Sequence, residues 1–337
     1  MLYFSNPASL EHDPRAHMPA HPDTPERLLA IERALGEREW LGWERREAPP
    51  ASEEELELVH SGRQVEKIRE LCLSGGGAID PDTFVGEASY RAALHAVGGA
   101  CAMTRALLGG EERIGFAALR PSGHHAEPTR AMGFCLFNNV AIAAELAIRE
   151  LGAERVLVFD WDVHHGNGTA EAFRRRADVL FISIHEAGIF PGTGSASDFG
   201  SGEGEGYTVN LPVPGGSEEE LWLSLVEHIV VPIATEFAPD LVLVSAGFDA
   251  HRADPLASCR LESESFAAMA RHVRELAAGL GAPLGLVLEG GYEPRALADS
   301  VLATMAALGG EGEAESAAPE ALLTSRAAAG VARHWEL

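Results

Sequence analysis

From residue 114 onward, short runs of continuously apolar residues alternate with longer segments of helical periodicity. A strand that is apolar on both faces needs cover on both faces, which is typical of a parallel sheet between two layers of helices. The predicted strands span residues 114–119, 156–159, 179–184, 207–211, 241–245 and 284–288. The predicted helices between them span residues 139–149, 169–174, 218–237 and 263–280. The pattern predicts an α/β fold with a mostly parallel central sheet and helices on both faces.

The ends of the chain add elements to this frame. Residues 1–4 are predicted as a first strand, 6–24 as a polar loop, 25–35 as a helix capped by Thr24, 53–73 as interrupted helices and 89–108 as an Ala-rich buried helix. An acidic linker over 311–318 and a final helix over 319–334 follow. No internal repeat and no interior linker composition is visible, so we expect residues 1–337 to form a single domain, with 309–337 as its linker and C-terminal helix.

Charge and cysteine content narrow the functional classes. The net charge of −25 argues against a nucleic-acid or anionic-membrane partner, because such surfaces need clustered Lys and Arg, whereas cationic substrates are tolerated. The cysteines, Cys72, Cys101, Cys135 and Cys259, are widely separated and form neither a disulfide framework nor a thiolate zinc motif. With no apolar leader and no run of 18 apolar residues, the chain is expected to be a cytoplasmic protein.

Polar and glycine-rich motifs follow five of the predicted strands. They are P-S-G-H-H (121–125), D-W-D-V-H-H-G-N-G (160–168), S-I-H-E (183–186), S-A-G-F-D-A-H (245–251) and L-E-G-G-Y (288–292). Ligands of open α/β sheets bind outside the carboxyl ends of the strands. These motifs therefore predict one shared site.

The stretch 156–168 carries the residues suited to a metal ion. If the chain is still extended at Asp162 and His164, their side chains lie on one face, roughly 6–7 Å apart along the strand. Asp249 is the natural third ligand, and His251 is its rival on spacing alone. A catalytic zinc site needs three protein ligands and an open position, although a set rich in Asp leaves Fe²⁺, Co²⁺ or Mn²⁺ open.

Proton transfer and carbonyl polarisation need further groups. The adjacent His124 and His125 can act as base and acid near neutral pH, provided that a turn at Gly123 brings both to the site. Asp160 and Asn167 are candidates to hold the far nitrogens of these imidazoles.

Three aromatic residues complete the predicted pocket. Tyr292 follows two glycines and could donate a hydrogen bond to an oxyanion. Phe134 and Phe190 could wall a narrow apolar channel.

These motifs, with G-F-C-L-F-N-N and F-P-G-T-G between them, resemble the zinc-dependent histone deacetylase superfamily from about residue 21 to 292. D-W-D-V-H-H-G-N-G-T and L-E-G-G-Y resemble its class II branch and the bacterial histone deacetylase-like amidohydrolases. The resemblance implies the arginase/deacetylase fold and hydrolysis of an N-acyl amide. It implies that Asp162, His164 and Asp249 bind the zinc. It also implies that His125, oriented by Asn167, is the general base and acid, that His124, oriented by Asp160, assists electrostatically, and that Tyr292 polarises the carbonyl. The implied acyl-lysine tunnel is lined by Gly133, Phe134, Phe190 and Leu256.

The resemblance also implies a structural monovalent cation, usually potassium, close to the zinc. The positions that match its ligands are Asp160, Asp162, His164, Ser183 and Ile184, most of them through backbone carbonyls.

For the substrate, the resemblance implies acetylated lysine side chains of proteins or peptides, with acetylpolyamines or other small acyl amines as the alternative. Leu256 stands where the polyamine-preferring eukaryotic branch has a glutamate, which favours acyl-lysine. An arginase-type ureohydrolase is the rival enzyme, because Asp249–Ala–His251 mimics part of its ligand motif. A catalytically silent acyl-lysine binder is the rival of another class. The oligomeric state stays open.

Overall fold

The computed structural model describes residues 1–310 and 320–336. Its centre is an eight-stranded, fully parallel sheet with the strand order β2-β1-β5-β10-β9-β6-β7-β8. The strands are β1 (Leu2–Ser5), β2 (Glu44–Glu47), β3 (Gly77–Ala78), β4 (Phe84–Val85), β5 (Ile114–Ala117), β6 (Val156–Asp160), β7 (Val179–Glu186), β8 (Thr208–Val213), β9 (Leu241–Ala246) and β10 (Leu284–Leu288). Strands β3 and β4 form a separate antiparallel pair. The predicted α/β fold class is confirmed.

Helices cover both faces of the sheet. They are α1 (Ala8–Glu11), α2 (Glu26–Gly36), α3 (Glu53–Leu56), α4 (Gly62–Leu73), α5 (Ser89–Leu108), α6 (Asn139–Glu150), α7 (Asn167–Phe173), α8 (Glu219–Leu225), α9 (Val231–Phe237), α10 (Ser263–Leu280), α11 (Pro294–Gly309) and α12 (Leu322–Val331). A π-helical turn over Val226–Val230 joins α8 to α9 within the predicted helix 218–237. None of the helices in the described residues is both long and apolar enough to cross a bilayer.

Strand β6 shows why the sheet lies at the centre. Leu157 and Phe159 point into a core that contains residues of α2, α10 and α11, whereas Val156 and Val158 point into a second core with residues of α5 and α6. All four side chains are fully buried. This two-sided burial is what a continuously apolar strand requires.

The structure corrects several local predictions. Strand β2 was not predicted, because its sequence E-R-R-E is charged throughout; it lies at the edge of the sheet, where charged side chains reach solvent. The β3–β4 pair was also not predicted. Thr24 is not the cap of α2: the cap position is Pro25, and no side chain bonds to the helix start.

The C-terminal segment is described in part. The predicted linker 311–318 lies outside the described residues, and the final helix, α12, is shorter than the predicted range 319–334. The extent of the single domain therefore stays a prediction.

Candidate metal and active site

The order of the strands brings the sequence motifs to one edge of the sheet. Strands β5, β10, β9 and β6 are neighbours, so the loops that follow them meet. The loop after β5 carries His124 and His125, and the loop after β10 carries Tyr292. The loops after β9 and β6 carry Asp249 and Asp162. A parallel sheet puts all of these loops at its carboxyl edge.

Asp162, His164 and Asp249 form a compact buried cluster. One ligand atom of each lies within 4.8 Å of the others. His164 Nδ1 is 3.2 Å from Asp162 Oδ1 and 3.0 Å from Asp249 Oδ2. This is the group of residues in the described part of the chain that could hold a metal ion.

Backbone amides fix the two carboxylates in place. The Gly290 amide donates to Asp162 Oδ2 at 2.8 Å, and the Val163 amide donates to Asp249 Oδ1 at 2.9 Å. A Cβ atom at Gly290 would collide with both carboxylates, so only glycine allows this approach. The first glycine of L-E-G-G-Y is therefore part of the cradle.

The charges of the cluster fit a divalent cation. Asp162 and Asp249 are completely buried, and two such carboxylates side by side need a positive partner. Burial alone would lower the pKa of His164, but its hydrogen bonds to Asp162 and Asp249 raise it to about 10. A proton on His164 thus supplies the positive charge that a bound cation would otherwise supply. Two carboxylate oxygens and one imidazole nitrogen form a donor set that suits zinc or a harder divalent ion.

A turn brings the paired histidines to this cluster. The Ala126 amide donates to the Gly123 carbonyl at 2.9 Å, which closes the turn that the sequence requires at Gly123. The Glu289 carboxylate accepts from the amides of Gly123 and His124 at 2.7 and 3.1 Å. The imidazole rings of His124 and His125 lie 4.0 Å apart. Glu289 was not singled out from the sequence, although it stands inside the L-E-G-G-Y motif.

The two histidines have different partners and different electrostatics. His124 Nδ1 lies 3.0 Å from Asp160 Oδ2, and His125 Nδ1 lies 2.8 Å from Asn167 Oδ1. Burial would lower the pKa of His124, but the carboxylates around it, with Asp162 first, raise it well above 6.5. Burial and the neighbouring His124 hold the pKa of His125 well below 6.5. His125 is therefore the neutral imidazole of the pair.

Tyr292 is half-buried beside the cluster. Its amide donates to Asp254 Oδ2 at 2.6 Å, and the guanidinium of Arg27 lies 4.7 Å from the centre of its ring. Burial raises the pKa of Tyr292 well above 10, and Asp249 adds to this rise while Arg27 opposes it. The phenol is thus protonated and can donate a hydrogen bond.

An apolar-walled cavity of about 200 Å³ leads to the cluster. It is lined by Asp82, His125, Gly133, Phe134, His164, Phe190, Leu256 and Tyr292. Phe190 packs edge-on against His125 at 5.0 Å, and a Cβ atom at Gly133 would lie 2.5 Å from the same imidazole. All four residues predicted to line a tunnel therefore face one space, together with Asp82, which was not predicted.

The remaining predicted residues are placed as follows. His251, the rival third ligand, lies outside the cluster, with Nε2 3.8 Å from Glu262. His165 points away from the cluster and bonds Thr193 Oγ1 at 2.8 Å. Ser183 and Ile184 are buried in β7, and Ser183 is the register partner of Asp160.

A buried ionic network lies next to Tyr292 and was not predicted from the sequence. Asp23 Oδ1 accepts from Arg27 Nη1 at 2.7 Å and from Arg120 Nε at 2.6 Å, and all three side chains are almost completely buried. Arg27 also donates at 2.5 Å to each of the Glu289 and Gly291 carbonyls. Asp23 falls in the predicted loop 6–24 and Arg27 in the predicted helix 25–35, and neither was singled out as a buried charge. The network fixes the backbone on which Tyr292 stands.

An Asp23→Ala variant is expected to unfold with a free energy lower by about 3–5 kcal/mol, since it leaves two guanidinium groups buried without their shared carboxylate. Urea denaturation measures this change. Asp13→Ala is the matched control, because Asp13 pairs with Arg15 at 2.6 Å on the surface, where such a pair contributes about 0–1 kcal/mol. Equal losses in the two variants would contradict the structural role of Asp23.

Comparisons with known proteins agree with this geometry. The histone deacetylase domain model matches residues 21–308. The histone deacetylase-like amidohydrolase of Pseudomonas aeruginosa is 44% identical over 249 residues, which are 73% of this chain and 66% of that protein. Histone deacetylase 10, chloroplastic, of Oryza sativa subsp. japonica is 37% identical over 334 residues, which are 92% of this chain and 73% of that protein.

The fold is shared with a solved relative. The crystal structure of the HDA15 HD domain matches with a TM-score of 0.93 and 35% identity, covering 99% of this chain and 97% of that one. This likeness assigns the arginase/deacetylase fold. With the domain match and the relatives above, the chain belongs to the histone deacetylase family.

Proposed function

We propose that the protein is a zinc-dependent deacetylase that removes acetyl or other short acyl groups from ε-N-acyl-lysine side chains of proteins or peptides. The observation that carries the proposal is a single cavity whose lining combines His125, His164 and Tyr292 with the rings of Phe134 and Phe190. A mainly apolar lining with polar groups suits an aliphatic chain that ends in an amide. The names of the relatives, deacetylase and amidohydrolase, support a hydrolase.

The proposed metal ligands are Asp162, His164 and Asp249. A zinc ion held by them supplies Lewis-acid polarisation of the amide carbonyl and activation of water. Family membership and the buried three-residue cluster support zinc, and Fe²⁺ or Co²⁺ would fit the same oxygen and nitrogen donors.

His125, Tyr292 and His124 have different roles in the proposed reaction. His125, neutral and bonded through Nδ1 to Asn167, takes a proton from the attacking water at Nε2. The Tyr292 phenol donates a hydrogen bond to the carbonyl oxygen as negative charge develops there. The protonated His125 then returns its proton to the nitrogen of the departing amine. His124, held by Asp160 and positively charged, stabilises the developing negative charge.

A structural potassium ion is part of the proposal. Asp160, Asp162 and His164 would bind it together with Ser183 and Ile184 on the adjacent strand. The pairing of Asp160 with Ser183 in the β6–β7 register supports this arrangement, since it places both residues at the same level of the sheet.

A small acylated amine, such as an acetylpolyamine, is the second candidate substrate. Asp82 is among the residues that line the cavity, and a carboxylate there could pair with the distal ammonium group of such a molecule. The net charge of −25 would also attract a polycation. Leu256, an apolar residue in the same lining, favours the acyl-lysine chain.

The deciding experiment compares kcat/KM for an acetyl-lysine peptide and for N-acetylputrescine, with chelator-treated and zinc-reconstituted protein. We expect zinc-dependent hydrolysis and a preference of about tenfold or more for the peptide. A preference for N-acetylputrescine would establish the second candidate. Zinc-independent binding without hydrolysis would indicate a silent binder, and urea release with two metals per chain would indicate an arginase-type enzyme.

A further inference from the structure

A hydrogen-bonded chain runs outward from His125 to a half-buried carboxylate. His125 Nδ1 lies 2.8 Å from Asn167 Oδ1, and Asn167 Nδ2 donates to Glu127 Oε1 at 2.8 Å. The same amide nitrogen has longer contacts with Met132 Sδ at 3.4 Å and the His125 carbonyl at 3.5 Å. Glu127 is therefore the short-range acceptor for the Asn167 amide group.

The donor and acceptor atoms of these side chains give the series of hydrogen bonds from His125 to Glu127 a direction. An ionised carboxylate can only accept hydrogen bonds, so it must face the NH₂ end of the Asn167 amide. The amide oxygen then faces His125 Nδ1, which must carry a proton to complete the bond. In a neutral imidazole this leaves the lone pair on Nε2.

We propose that Glu127 is a positioning residue that sets the orientation of the Asn167 amide and, through it, the tautomer of His125. The inference rests on the proposed function, in which His125 Nε2 is the base. Without a fixed acceptor, the amide could rotate and place its NH₂ group against Nδ1. That orientation favours a proton on Nε2 and removes the base.

The backbone around Glu127 is held firmly enough for this role. Its amide donates to the Arg130 carbonyl at 2.8 Å, and its carbonyl faces His60 Nδ1 at 3.1 Å. His60 Nε2 accepts from the Asn138 amide at 2.8 Å, so Nδ1 is the protonated nitrogen of His60 and donates to Glu127. The carboxylate is thus presented from a loop fixed on two sides.

His124 does not need a residue that sets the orientation of its hydrogen-bond partner. Its partner, Asp160, is a carboxylate, whose two oxygens both accept hydrogen bonds. Because an amide has one acceptor end and one donor end, only the Asn167–His125 pair has an orientation to be set. An Asn167→Asp variant would remove this requirement, which provides an internal control.

The kinetic test compares Glu127→Ala, Glu127→Gln, Asn167→Asp and the Glu127→Ala/Asn167→Asp double variant as zinc-loaded proteins on an acetyl-lysine peptide. Glu127→Ala is expected to lower kcat by about 10–100-fold, with KM changed by less than about twofold and zinc content unchanged. Glu127→Gln keeps an acceptor oxygen and is expected to stay within about threefold of the wild type. In the Asn167→Asp background, Glu127→Ala should not lower kcat further. An equal loss in both backgrounds would overturn the inference, since a merely structural role predicts it.

A second measurement reads the tautomer without activity. In ¹⁵N-histidine-labelled, zinc-loaded wild type, the signals assigned to His125 by their loss in His125→Ala should show protonated Nδ1 and unprotonated Nε2. In Glu127→Ala, a population with protonated Nε2 should appear. An unchanged tautomer would overturn the inference whether or not the protein hydrolyses acyl-lysine. Failure of the wild type to hydrolyse any acyl amine would instead count against the proposed function.

Discussion

A His164→Ala variant is expected to lose its zinc and to hydrolyse an acetyl-lysine peptide about 10³-fold more slowly or worse. His164 Nδ1 lies between the two carboxylates. The variant therefore keeps only two of the three ligands and has no nitrogen donor. Lewis-acid stabilisation of about 4 kcal/mol corresponds to this loss of rate. Elemental analysis and steady-state kinetics on the same preparation measure both effects.

The control for this variant is His251→Ala. His251 competes with Asp249 for the third ligand position on sequence spacing, but it faces Glu262 outside the cluster. Its replacement should keep full zinc content and activity. Asp249→Asn, which changes the shape of the cluster least, should lower zinc content as His164→Ala does. Stoichiometric zinc in His164→Ala, or zinc loss in His251→Ala, would contradict the assigned ligand set.

The strands that position the site could be predicted because their signal is local. Val156 to Phe159 are apolar without interruption, and the structure buries them between two cores. The polar motifs follow such strands directly, so a parallel sheet predicted that they share one site, with Asp249 and His251 as rival third ligands beside Asp162 and His164. The structure selects Asp249. Strand β2 carries no such signal, because E-R-R-E contains no apolar residue. It becomes an edge strand only because it pairs with β1.

The residues that support the site could not be predicted, because their partners are distant in sequence. Arg120 and Asp23 are separated by 97 positions and Glu289 and Gly123 by 166. Each charge by itself reads as a solvated side chain, the usual state of charged residues. Only the fold shows that these carboxylates are buried and hydrogen-bonded. Glu127 was overlooked in the same way, although it lies two residues after His125.

The last prediction concerns the phenol of Tyr292. A Tyr292→Phe variant is expected to lose about 10²–10³-fold in kcat, the usual effect of removing one donor to an oxyanion. The aromatic ring remains, so its packing against Phe134 at 5.6 Å and against the Arg27 guanidinium should persist.

The zinc ligands are untouched in Tyr292→Phe, so zinc content should equal that of the wild type, in contrast to His164→Ala. Because the lost hydrogen bond strengthens as the carbonyl oxygen gains charge, kcat should fall far more than KM rises. Tyr207→Phe is the matched control: Tyr207 packs against Trp335 away from the cavity, and the same loss of a hydroxyl there should leave kcat unchanged. A kcat for Tyr292→Phe close to that of Tyr207→Phe would show that carbonyl polarisation does not depend on this phenol. A parallel fall of kcat and zinc content would place Tyr292 among the groups that hold the metal site together.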